Sequence, residues 1–190
     1  MRTGTALAAA LLATGLTAGP AHAATTARTG TLNHSCTYPG VAPLTSTLAG
    51  SLTAPDPVAA GSSFTVTGIH LSHVMSPAVR SLFVAAGYDR VQGSFAATIT
   101  ATNASPAAAP ISGSFPDQSI TAAGSLTLSE PAADVTFTAG TPGSIVFALG
   151  TPITESLQFH KKTTDTWVPM QSVCTPRVTD TTFQPGITVS

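Results

Sequence analysis

Polar and apolar positions alternate along most of this chain. In "DVTFT" (134–138), Val135 and Phe137 fall on one face and Thr136 and Thr138 on the other, and the same period of two runs through "SFTVTG" (63–68), "AATITATN" (96–103) and "GSLTLSE" (124–130). Alternating β-branched and apolar residues bounded by Gly, Pro, Asn and Asp mark strands with one face in a core and one in water. Short strands with turn signals at such regular spacing predict an all-β fold, an antiparallel β-sandwich of two sheets. Strands are expected over 31–38, 46–53, 63–71, 91–103, 111–115, 119–129, 134–139, 144–149, 155–161 and 166–174.

Three stretches depart from the alternation. "NASPAAAP" (103–110) reads as a Pro/Ala linker, a loop crossing between sheets. "ESLQFHKKTTDTWVPMQ" (155–171) reads as a hairpin that sets Leu157 and Phe159 across from the region of Trp167, with Pro169 marking an edge strand. In "SHVMSPAVRSLFVAAGYDRVQG" (72–93), Ser76 suits an N-cap, Pro77 the first helical position and Gly87 a left-handed C-terminal position. Val79, Leu82, Phe83 and Ala86 recur between them at helical spacing, so one short helix is expected in a loop at about residues 77–86, plugging an open end of the sandwich.

Composition narrows the partners. Charged residues are 8% of the chain, against about 25% in a typical domain, and the net charge is −1. With no basic stripe, nucleic acid and anionic membrane surfaces are excluded as partners. Solubility comes from hydroxyls instead, chiefly threonine.

The first residues read as an export signal. Arg2, an apolar stretch from Ala6 to Leu16, the Gly19-Pro20 break and Ala21-His22-Ala23 follow the order of a secretory signal peptide with an A-x-A site, so cleavage is expected between Ala23 and Ala24. The apolar part is too short to span a bilayer about 30 Å thick, and no long apolar tail appears later. The expectation is residues 1–23 as signal peptide and 24–190 as one secreted, extracellular domain, a monomer with no membrane span.

Export decides the reading of the two cysteines. Cys36 lies two residues from His34 on one strand face, which would suit a nucleophile and its base, but in an oxidising compartment two cysteines in a small domain pair. Cys36 in the first expected strand and Cys174 in the last are therefore expected to form a disulfide. No G-x-S-x-G, Walker, H-E-x-x-H or D-x-D-x-D-G motif is present. His70 and His73, with His34 or His160, carry zinc-ligand chemistry, yet i and i+3 point to opposite faces of a strand, and the two are read as loop histidines near the helix. The acidic residues, Glu130 and Glu155 among them, are read as scattered mostly at turns, with no pair for acid/base work. No cofactor and no metal site is expected.

Phe64, Phe95, Phe137, Phe147 and Phe159 occupy inward positions and are read as core. Tyr38, Tyr88 and Trp167 are the candidates for surface contact, although Trp167 suits the edge of the core somewhat better. "CTYPG" soon after the leader, the Ala/Thr-rich body, "AAGYDRVQGSF" after the helix and the late "VCTP" together resemble small secreted actinobacterial domains with immunoglobulin-like folds and no known function. That resemblance implies a fold and a location, and it supplies no catalytic or binding residues.

The expected function is a secreted, non-catalytic extracellular or cell-envelope module, structural or weakly binding an extracellular protein or cell-wall glycan. Its contact surface is expected on the 155–171 hairpin, which carries Trp167, Lys161 and Lys162. The alternative is a secreted enzyme inhibitor or small hydrolase with a site on loop 103–110 or 139–144.

Overall fold

A computed structural model describes residues 23–190. Of the expected leader, residues 1–22 lie outside the described residues. The elements are β1 (Ala23–Arg28), β2 (Leu32–Tyr38), β3 (Val41–Asp56), β4 (Ser63–Met75), α1 (Pro77–Ala85), β5 (Tyr88–Ala101), β6 (Ala104–Ser105), β7 (Ala108–Ser119), β8 (Leu126–Pro131), β9 (Val135–Ala139), β10 (Gly143–Ile145), β11 (Phe147–Leu149), β12 (Ile153–Lys161), β13 (Thr166–Pro176) and β14 (Ile187–Val189).

All the strand ladders are antiparallel. The main path runs β11-β5-β12-β13-β2-β3-β4-β9-β6, with β1 also on β3, β7 on β5 and β8 on β4, while β10 and β14 pair separately. One layer is β7-β5-β12-β13 and the other β2-β3-β4-β8. They join where Val173–Pro176 of β13 pair with β2, and again at a bridge between Gly113 and Ala132. Only glycine fits that second seam, because a Cβ on Gly113 would run into the Pro131 carbonyl. Gly68, at φ +56, bends β4 so that Ser63–Val66 pair with β9 and His70–Met75 with β8.

The alternation does what it implies. Along β12, Ile153, Glu155, Leu157 and Phe159 are buried and the residues between them are not. All five phenylalanines read as core are buried, with Phe64, Phe137 and Phe147 packed ring to ring. The helix forms as its caps predict: the Ser76 hydroxyl accepts from the Val79 amide, Pro77 opens it and Gly87 follows at φ +86. Buried Val79 and Phe83 close one end of the sandwich, Phe83 stacking on Phe159 at 4.2 Å between centroids and meeting Tyr38 edge-on. On the outer side Arg80 donates to the carbonyls of Ile120 and Gly124, so its charge fastens a loop.

Several expectations give way. "NASPAAAP" does not cross between sheets: β5 and β7 are adjacent antiparallel partners, with short β6 inside their connection. Residues 120–125 form a turn between β7 and β8 where one strand was expected over 119–129. β1 and β14 were not foreseen, so Cys36 lies in the second strand and Cys174 in the penultimate one. Pro169 does mark an edge, since that part of β13 pairs with β12 alone. No helix among the described residues is long and apolar enough to cross a membrane.

Candidate binding face and a buried polar cluster

The outward side of β7-β5-β12-β13 is a polar sheet. Register sets its side chains in ranks: Ser112, Ala96, Thr154 and Val173; then Ser114, Ser94, Ser156 and Gln171; then Gln92, Gln158 and Pro169; then Arg90, His160 and Trp167. The Gln92 amide donates to the Gln158 carbonyl at 2.7 Å, and the Ser156 hydroxyl donates to Gln171 at 3.2 Å. Open grooves of about 530 and 330 Å³ run over the first three ranks, lined by these serines, by Thr154 and by Gln92 and Gln158.

The fourth rank closes the face with charge and a ring. Trp167, 36% exposed, has the His160 ring at 5.2 Å and the Arg90 guanidinium at 5.9 Å. Arg90 donates two hydrogen bonds to the Asp117 carboxylate. His160 donates from Nδ1 to Asp89 at 2.7 Å and from Nε2 to Asp165 at 3.0 Å; Asp89 first, then Asp165, hold its imidazole above the ordinary histidine value.

The two lysines lie apart from this face. Lys161 reaches past the C-terminus of α1, donating to the Ala86 carbonyl at 2.8 Å with its Nζ 5.1 Å above the Tyr88 ring. Lys162 is exposed in the turn. Tyr88 is half-buried against Phe83 and Phe159, and Tyr38, expected at the surface, is buried because it shares an inward parity with Cys36.

The core holds a second constellation. Cys36 and Cys174 stand directly opposite in the β2–β13 ladder and form a disulfide. Around it on the inner faces are His34, Ser46, His73, Glu130, Glu155 and Ser172, all buried. His73 is a strand residue of β4, not a loop histidine, and its Nδ1–H donates to Glu155 Oε1 at 2.5 Å. His70, on the opposite face of β4, bonds Ser129. Glu130 and Glu155 therefore depart from the turn positions expected for acidic residues.

Burial governs the charge states here. Loss of water, then repulsion from Glu155, pushes the Glu130 carboxyl up to about 9, so it is protonated at neutral pH. Burial lowers the His34 imidazole below the ordinary histidine value, while its Nδ1 bonds the Leu32 carbonyl. Burial also raises the Tyr38 phenol. His34 Nε2, His73 Nε2, Glu155 Oε2 and both Glu130 oxygens find no hydrogen-bond partner among the described residues. Each such atom costs about 1–3 kcal/mol.

The signal for this cluster was parity. His34 lies in step with Leu32 and Cys36, His73 with Leu71 and Met75, Glu130 with Leu126 and Leu128, and Glu155 with Ile153 and Leu157. Comparison with known proteins finds one family model, a family of unknown function (DUF6801), matching residues 13–184. No curated protein and no solved structure matches the chain.

Proposed function

The chain belongs to the DUF6801 family, and from that footing we propose that it is a secreted, non-catalytic module that binds a neutral glycan of the cell envelope or its surroundings on the β7-β5-β12-β13 face. The observation that carries this is the ranked Ser/Thr/Gln surface ending in Trp167. Sugar hydroxyls need paired donors and acceptors, which hydroxyl and amide side chains supply without charge, and a partly exposed indole offers an apolar face for a pyranose ring. Low overall charge suits a neutral ligand. Burial of the His73–Glu155 pair, with both side chains fully out of solvent, further supports a binding over a catalytic role. Residues 1–23 would direct export, and sequencing the N-terminus of protein recovered from the medium should give Ala24.

The test is retention on insoluble neutral polysaccharides from the producing envelope, compared for the native protein, Trp167→Ala and Gln158→Ala. Both variants should bind at least tenfold more weakly, about 1.4 kcal/mol, while the far-UV spectrum stays β-rich. Unchanged retention of both, or a large loss of thermal stability with attachment intact, would refute the assignment and make Trp167 a core-edge residue.

A further inference from the structure

The His73 ring, one of its nitrogens unpartnered, sits beside two sulfurs. Both Sγ atoms of the disulfide and a ring nitrogen of His73 lie within 4.8 Å of one another, all fully buried. Glu155 holds Nδ1, which leaves Nε2 with no partner among the described residues. A carboxyl group that fixes one imidazole nitrogen while the other carries a free lone pair is the outer-shell arrangement found behind histidine metal ligands. An orphaned nitrogen in a dry core calls for an explanation, and the adjoining sulfurs offer one.

We propose that Cys36, Cys174 and His73 form a zinc site that the disulfide masks and that reduction opens. The ladder keeps the thiols together after the bond breaks, because Cys36 and Cys174 are register partners with Cα atoms 4.0 Å apart. Two thiolates and an imidazole are the soft and borderline donors that Zn²⁺ takes in tetrahedral sites. The chemistry balances with a thiol reductant: two external thiols give two electrons and two protons to the protein disulfide and leave as an external disulfide. Zn²⁺ then displaces the two protein-thiol protons to solvent. Oxidation reverses the sequence and expels the metal.

The experiment uses the full secreted chain, reduced by a phosphine, which is oxidised to its oxide with oxygen from water and does not compete strongly for zinc. Zinc alone is the first probe and Co²⁺ the second. The reduced protein should bind one Zn²⁺ per chain and the oxidised protein none, and Co²⁺ should give sulfur-to-metal charge transfer with intense tetrahedral ligand-field bands. His73→Phe should weaken zinc binding at least 100-fold and change the cobalt spectrum, while Glu155→Gln should weaken it about 10- to 100-fold with the spectrum retained. If reduction unfolds the chain, zinc should restore its β-sheet spectrum. Failure of the reduced protein to take up zinc, equal uptake by the oxidised form, or a cobalt spectrum unchanged in His73→Phe would overturn the proposal.

Discussion

Replacing Glu130 by Gln should make the protein more stable, and increasingly so as pH rises. The native carboxyl is buried with both oxygens unpartnered and holds its proton up to about pH 9, whereas in the unfolded chain it ionises near 4.3. The folded state therefore binds one more proton than the unfolded state between those values. The stabilisation tied to that proton is complete below about 4.3 and is lost as pH climbs to about 9. One proton over three pH units, at about 1.4 kcal/mol per unit, amounts to about 4 kcal/mol between pH 5 and pH 8. Glutamine has nearly the same shape and does not titrate, so all other groups cancel in the difference between variant and native protein. Urea unfolding followed by circular dichroism at pH 5 and pH 8 measures it. The variant should gain about 4 kcal/mol on the native protein across that interval. A difference that is the same at both pH values would refute the burial argument for Glu130.

The remaining predictions concern the helix plug and the His160 cluster. Phe83→Ala removes the ring stacked on Phe159 and should cost about 3–5 kcal/mol in the same unfolding assay, while Leu82→Ala, half exposed on the same helix, should cost under about 1 kcal/mol. Asp89→Asn removes the main cause of the raised His160 value, so NMR titration of that imidazole should move downward. In the native protein, the stability linked to His160 is present at low pH and fades as pH rises through its folded value, and the variant should lose it at lower pH.

Strand parity made the fold legible, and the same parity was misjudged for polar residues. "DVTFT" and "SFTVTG" announce their faces because one parity is wholly apolar. In "ITESLQFHK" the glutamate breaks the apolar parity, and a carboxylate is so costly to bury that a turn looked better; protonation or a histidine partner removes much of that cost, and neither shows in local sequence. The helix was legible because Ser76, Pro77 and Gly87 act locally. Of the candidate face only the Trp167 hairpin was legible, since the rest depends on which strands are neighbours: His160 meets Trp167 and Arg90 only because β12 lies between β13 and β5. The 103–110 stretch reads as a linker for a related reason, since Pro110 suits an outer strand, β7, as well as a loop.

Strands β1 and β14 meet on one segment. Ala23 pairs with Asp56 and the Asp56 carboxylate accepts the Thr188 amide, while Val58 exchanges backbone hydrogen bonds with Thr188 and Ser190. Strands β1 and β14 therefore lie beside the same segment, with Asp56 bonding both Thr25 and Thr188. A short peptide joining Ser190 to Ala24 would close residues 24–190 into a ring, and the ring could be reopened at the exposed Thr163–Thr164 turn to give a circular permutant of the same shape.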